Sequence, residues 1–178
     1  IDEPNHRVRN ILALPRSLSQ QTLTHNGSTQ SYLTALEARI SAVASAHDLG
    51  AGNVDISATA MQIFELEAAP YNQEDRRVIV SGDDIGVRSD LAPMFALVVH
   101  ELMTNAVKYG ALSSPGGDLS VRLLKRESGL RIEWVEAGGP VVVPPETKGF
   151  GTMLIETSVP FELDGEVSLE YRPGGLRA

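Results

Sequence analysis

The chain has 178 residues, of which 42% are hydrophobic and 21% charged, and its formal net charge is −8. This length suits one domain or two small ones with a proper hydrophobic core, and the composition excludes a disordered tail. The negative charge argues against a nucleic-acid or membrane surface, because phosphate-rich partners call for clustered Lys and Arg. The absence of cysteine excludes disulfides and thiolate metal sites.

The sequence contains no apolar run near 18 residues and no signal-peptide pattern. It begins with Ile-Asp-Glu and not with Met. We therefore expect a cytoplasmic piece of a longer protein, without a membrane segment in this piece.

Two amphipathic helices are predicted in the first fifty residues. Apolar residues recur at three-to-four spacing over residues 3–24 and, as Leu33, Leu36, Ile40 and Val43, over residues 29–48, with the turn THNGST between them. Such helices form an antiparallel hairpin, and one hairpin alone leaves its apolar seam uncovered. We predict that residues 1–50 form a dimeric four-helix bundle with a second copy, that Pro15 kinks the first helix, and that a linker follows over 51–57.

Residues 58–178 predict an α/β sandwich, so the fold class is α+β. A helix over 57–68 precedes two short strands, over 76–82 and 85–89, and a second helix over 91–109. Residues 118–136 alternate and turn at Ser128 and Gly129, which predicts a β-hairpin. A Pro/Gly-rich loop and a helix from residue 150 follow. The last strand, within 165–177, is expected to be free to pair with residues beyond Ala178.

The helix over 91–109 has an apolar stripe that would face a sheet, and beside it a polar stripe of Glu101, Asn105 and Lys108 at steps of four and three. Such a stripe is ordinarily a solvated face. Asn, however, is unfavourable within a helix, and its side-chain oxygen is suited to Mg²⁺. The later glycines, in GGP and GFG, would let backbone N–H groups approach a phosphate. The combination favours a site that binds Mg²⁺ and a phosphate.

Four motifs occur in order along the chain: NHRVRNILAL, HELMTNAVKYGALSSPGG, WVEAGGP and GFGTMLIE. Together they resemble the HWE group of sensor histidine kinases, which takes its name from a helical His (His100) and a Trp-x-Glu (Trp134 and Glu136). The resemblance runs from Glu3 to the C-terminus. It implies a Bergerat-type ATP-binding domain, as in the GHKL ATPases, over residues 58–178, attached to the dimerising hairpin of a bacterial cytoplasmic kinase.

The resemblance also implies an ATP site. Asn105 would hold Mg²⁺ between the protein and the triphosphate, with Lys108 and Tyr109 near the phosphates and the nucleotide. Glu136 stands where related kinases have an Asp that receives the adenine amino group, which would select adenine over guanine. The other implied residues are Gly138 and Gly139, which let the chain pass close to the base, and Gly149, Phe150, Gly151 and Thr152, where the lid meets the next helix.

Two aromatic residues of these motifs have alternative interpretations. Trp134 occupies an inward-facing position in the alternating pattern of its strand, as a core aromatic residue would. His100 would orient Glu101 or a phosphate, and we do not expect it to be a nucleophile.

The phosphoacceptor implied by the resemblance is His6. Asn10, at i+4, can hydrogen-bond one ring nitrogen and leave the other free to attack, while Arg7 and Arg9 offset the charge of the γ-phosphate. The predicted reaction is in-line transfer of the ATP γ-phosphoryl group to His6, followed by transfer to an Asp of a separate receiver protein.

Arg7 follows the acceptor where many histidine kinases have an acidic residue. We therefore take Glu101 as the candidate base, with Glu3 second, and Glu101 also as a candidate metal ligand. Arg9 replaces the usual Lys of the motif. The sensor domain is expected upstream of this chain.

Three other functions fit part of the pattern. A phosphotransfer protein of the same fold would have lost the nucleotide motifs. A GHKL ATPase or protein-serine kinase would lack the histidine-bearing hairpin. A plain dimerisation module would not explain why the polar stripe and the glycine loop occur together.

Overall fold

The computed structural model describes residues 29–49, 56–72 and 77–178, and it is a mixed helix-and-sheet structure. Its helices are α1 (Thr29–Asp48), α2 (Ala60–Ala68), α3 (Ala92–Lys108) and α4 (Phe150–Glu162). Its strands are β1 (Ile56–Thr59), β2 (Arg77–Gly82), β3 (Gly86–Arg88), β4 (Asp118–Arg126), β5 (Gly129–Ala137), β6 (Glu170–Arg172) and β7 (Gly175–Arg177). None of these helices is both long and apolar enough to cross a membrane.

The strands form two sheets. β1 and β3 pair antiparallel, and the larger sheet has the order β2-β4-β5-β7-β6, in which β2 and β4 are parallel and the other neighbours are antiparallel. The predicted hairpin is confirmed as β4 and β5, although its two-residue turn is Glu127-Ser128, one position earlier than expected. Helices on one side of the larger sheet bury its alternate residues, among them Leu119, Val121, Leu123 and Trp134.

Helix α1 confirms the predicted helix over 29–48, but its buried face is shifted around the helix relative to the predicted stripe. Leu33 and Ile40 of the predicted stripe are exposed, whereas Arg39, Ala42 and Ala46 are buried. α1 packs against α3, and Leu36 and Val43 contact a small cluster of Met94, Leu97 and Phe150. The first helix of the predicted hairpin, its kink at Pro15, and His6 lie outside the described residues.

The predicted start of α2 is wrong. Residues 56–59 form a strand and not the first turn of a helix, because they pair with β3. The last strand residue, Thr59, then caps the helix: its hydroxyl accepts from Gln62 N at 3.2 Å, and its own N–H donates to Gln62 Oε1 at 2.9 Å. β1 also begins inside the residues predicted as a linker.

The prediction for the last strand is also corrected. The segment divides at Pro173-Gly174 into the hairpin β6–β7, and β7 pairs with β5 within the chain. Trp134 N donates to Ala178 O at 2.9 Å and Ala178 N to Trp134 O at 3.1 Å. The edge of β5 is thus covered by the chain's own C-terminal residues.

Helix α3 is central to the fold. One apolar stripe was expected, but twelve residues of the helix are buried, since α1, α2 and α4 pack against it and its apolar residues share one core cluster with those of the larger sheet. Phe95 meets Phe64 of α2 edge to face with ring centroids 5.9 Å apart. A polar residue on such a helix needs a partner, because burying an unpaired polar group is costly.

Candidate functional site

A cleft of about 960 Å³ lies between α1, α3, the loop before α4 and the start of α4. It is lined by nearly all the residues that sequence analysis assigned to one site: Glu101, Asn105, Lys108, Tyr109, Glu136, Gly149, Phe150, Gly151 and Thr152. In the described structure, Gly138 and Gly139 do not belong to its lining. The polar stripe of α3 thus faces a cleft and not open solvent.

Glu136 is a buried carboxylate, 4% exposed, with a donor on each oxygen. The backbone N–H of Ala111 donates to Oε2 at 2.8 Å, and the indole N–H of Trp134 donates to Oε1 at 2.9 Å. Trp134 reaches it because residues i and i+2 of a strand lie on the same face. Trp134 is therefore both a core residue, 1% exposed, and a partner of Glu136.

Gly110 contributes to the Glu136 site, although sequence analysis did not single it out. A Cβ at this position would overlap Glu136 Oε2 and lie 2.8 Å from its Cδ. The signal in the sequence is weak, because a Gly just after a helix ordinarily ends it. Glycine is required at this position only because β5 places the Glu136 carboxylate against it.

Gly138 and Gly139 allow a close approach, but their neighbour is the backbone of residues 110–117. Gly138 has φ +73°, and a Cβ there would lie 2.5 Å from Gly116 O. A Cβ at Gly139 would lie 2.5 Å from Ala111 Cα. The pair thus holds the end of β5 against the segment that follows α3.

Glu101 is paired with Arg39 of α1. Nε of Arg39 donates to Oε1 at 2.6 Å and its Nη2 to Oε2 at 3.2 Å, with Arg39 9% and Glu101 4% exposed. The guanidinium also lies over the Phe150 ring, 4.0 Å from its centroid. Sequence analysis missed Arg39. Its spacing could have indicated burial, because Arg39 lies three residues after Leu36 and four before Val43, on a helix face that is buried in the structure.

His100 was expected to orient Glu101 or a phosphate, and its partner in the structure is Glu67. Its Nδ1 lies 2.8 Å from Oε2 of Glu67 on α2, and both side chains are largely buried. His100 also lines the cleft. Nearby, burial and then the Glu67 carboxylate raise the pKa of Tyr71 above its ordinary value, so this phenol is neutral at pH 7.

The start of α4 offers a site for an anion. Gly149 is the N-cap, no side chain caps the helix, and its first turn has no acidic residue. The backbone N–H groups of a first turn have no partner within the helix and attract negative charge. Since residues 149–152 line the cleft, these groups lie beside Asn105.

The two glycines of GFG, Gly149 and Gly151, differ in their surroundings. Gly151→Ala is expected to lower the free energy of unfolding by about 1–3 kcal/mol, since the new Cβ would overlap Glu101 Oε2, which Arg39 Nη2 holds in place. Gly149→Ala is the matched control: among the described residues no atom lies within 4 Å of a Cβ placed there, and φ is −73°, so less than about 1 kcal/mol is expected. Urea unfolding measures both, and equal stabilities would contradict the packing role of Gly151.

Solved structures that superimpose on this chain identify its fold. The histidine kinase domain of the blue-light-activated histidine kinase of Erythrobacter litoralis superimposes with a TM-score of 0.61 at 16% identity, covering 93% of this chain and 91% of that one. The ATP-binding domain of PrrB from Mycobacterium tuberculosis superimposes with a TM-score of 0.52 at 21% identity, covering 70% of this chain and 93% of that one. The fold is therefore that of histidine kinase ATP-binding domains.

The family follows from sequence comparison. The sequence profile of the HWE histidine kinases matches residues 3–84. The chain is 34% identical to the blue-light-activated histidine kinase of Brucella anthropi over 98% of its length, and 31% identical to that of Brucella ovis over 96%. The chain belongs to the HWE histidine kinase family. It spans 36% of the length of these two relatives.

Proposed function

We propose that this chain is the catalytic core of a sensor histidine kinase that transfers the γ-phosphoryl group of ATP to His6. The observation that carries the proposal is the cleft, where Asn105, Lys108, Glu136 and the uncapped start of α4 come together in a member of the HWE family. A phosphotransfer protein without ATP binding would not need this set of residues.

The cleft fits ATP in size and in chemistry. Its volume, about 960 Å³, is within the range of small-molecule sites. Glu136 supplies a fixed acceptor for the adenine amino group, while the exposed Lys108 and the start of α4 supply positive charge and N–H donors for phosphates. Tyr109, 72% exposed, stands at the edge, where it can contact the nucleotide.

Mg²⁺ fits this site through Asn105. Across residues 29–49, 56–72 and 77–178, no three His, Asp or Glu side chains form a metal-binding group, so the phosphates would provide most of the ligands. The bound ion would neutralise charge on the triphosphate. Both oxygens of Glu101 accept from Arg39, so Glu101 can serve as a ligand or base only where Arg39 releases it.

The reaction at His6 is an in-line displacement. A ring nitrogen forms a bond to the γ-phosphorus as the bond to the β,γ-bridging oxygen breaks, and ADP leaves. Asn10 would hold the other ring nitrogen, and Arg7 and Arg9 would offset phosphate charge. An Asp carboxylate of a response-regulator receiver domain then attacks the phosphorus, and the P–N bond breaks.

The proposed assembly is a homodimer through residues 1–50, with an ATP-binding domain over 58–178 and a sensor domain upstream, in the bacterial cytoplasm. The exposed apolar side chains of Leu33 and Ile40 on α1 support a partner for this helix, because they lie outside the face of α1 that packs on α3. The family supports both dimerisation and a receiver partner.

One labelling experiment tests the proposed function. The chain is incubated with Mg²⁺ and γ-labelled ATP, and the protein-bound label is then exposed to acid and to base. A label that survives base and is lost in acid is expected, because this is the behaviour of phosphohistidine, and α-labelled ATP should leave none. An acid-stable label would indicate a protein-serine kinase, and no label at all would contradict kinase activity.

A further inference from the structure

We infer that Trp134 is a positioning residue for nucleotide selectivity, whose indole N–H fixes the Glu136 carboxylate in the orientation that accepts the adenine amino group. This inference rests on the proposed function, in which Glu136 recognises adenine. It adds a role for the first residue of the Trp-x-Glu motif, which sequence analysis could also interpret as a plain core residue.

The geometry holds the carboxylate at two points. Trp134 Nε1 donates to one oxygen at 2.9 Å, and Ala111 N donates to the other at 2.8 Å. One donor belongs to the centre of the larger sheet and the other to the turn after α3, so the plane of the carboxylate is set by two separate elements. Gly110 leaves the space that this orientation occupies.

The burial of Glu136 makes the indole donor important. Glu136 is buried, and both of these partners are neutral N–H groups, so each carries a large share of its stabilisation. An indole N–H can only donate a hydrogen bond, so the Glu136 oxygen that it contacts must act as an acceptor. Each oxygen keeps a free lone pair, and one of them can accept from the amino group of a base.

A structural role for Trp134 would have a different consequence. Loss of core packing lowers stability and weakens binding of every nucleotide alike, whereas loss of the donor weakens only ligands that need Glu136 in place. Purine riboside triphosphate, which is ATP without the 6-amino group, separates these effects. The ratio of its dissociation constant to that of ATP measures recognition of the amino group.

The chain has a single Trp, so its indole can be replaced by biosynthetic incorporation of benzothienylalanine, in which sulfur takes the place of N–H. Calorimetry with Mg²⁺ and each nucleotide is expected to show ATP binding roughly tenfold weaker, with purine riboside triphosphate changed less than about twofold. Trp134→Phe should shift the ratio in the same direction. These two replacements differ in how much core packing they disturb.

Val121→Ala is the matched control, because Val121 is a buried residue of β4 that lies directly opposite Trp134 of β5 and has no polar group. It should lower stability and keep the ratio. If the benzothienyl protein also keeps the wild-type preference for ATP, the inference about Trp134 is overturned while the proposed function stands. If the wild-type chain shows no preference for the 6-amino group, the adenine role of Glu136 and this inference both fail.

Discussion

His6→Ala is expected to abolish the acid-labile label that γ-labelled ATP leaves on the chain. The imidazole is the proposed nucleophile, and Ala has no atom that can form the P–N bond. The chain has three other histidines, His25, His47 and His100. None has the surroundings of His6 in the sequence, and His100 is a buried residue paired with Glu67.

The controls separate loss of the acceptor from loss of the nucleotide site. His25→Ala and His47→Ala should keep the label, and His6→Ala should bind Mg-ATP with unchanged affinity in calorimetry, since the proposed ATP-binding residues lie between Asn105 and Thr152. An acid-labile label that persists in His6→Ala would remove His6 from its role and move the search to the other histidines.

Arg39→Met is expected to lower the free energy of unfolding by about 3–5 kcal/mol, because it leaves the Glu101 carboxylate buried without its charged partner. Met keeps most of the side-chain length, so the loss is one of charge and hydrogen bonds and not of volume. Urea unfolding of the whole chain measures the change. The contact with the Phe150 ring is weakened at the same time.

Two variants test whether the buried pair is the cause. Arg88→Met breaks an exposed pair with Asp90, in which Arg88 is 71% exposed, so less than about 1 kcal/mol is expected. The double variant Arg39→Met with Glu101→Leu should recover much of the lost stability, because no unpaired charge remains. A loss in Arg39→Met no larger than in Arg88→Met would contradict a stabilising role for the Arg39–Glu101 pair.

The elements that sequence analysis predicted well depend on local patterns. The helix over 92–108 and the β4–β5 hairpin have long, regular periodicity and clear turn residues, and both lie within two residues of their expected limits. Helix α2 was predicted to begin at residue 57, where a strand lies instead. Residues 56–59 are too short to show a period, and their pairing with β3 involves residues about thirty positions away.

The candidate site shows the same division. Asn105, Lys108 and Glu136 were predicted because each belongs to a recognisable motif, and the structure brings them to one cleft. Arg39 and Gly110 were missed because their importance depends on distant partners, Glu101 and Glu136. The partner of His100, Glu67, was missed for a related reason, since it belongs to another helix.

The sequence by itself therefore determined the family, the long regular elements and the motif residues Asn105, Lys108 and Glu136 of the cleft, since motifs and periodicity are properties of neighbouring positions. Only the tertiary structure decided which charge neutralises Glu101, which donors hold Glu136 and which strand covers β5. These contacts join residues far apart in the chain, and burial makes each of them necessary, because a polar group removed from water must find its partner within the fold.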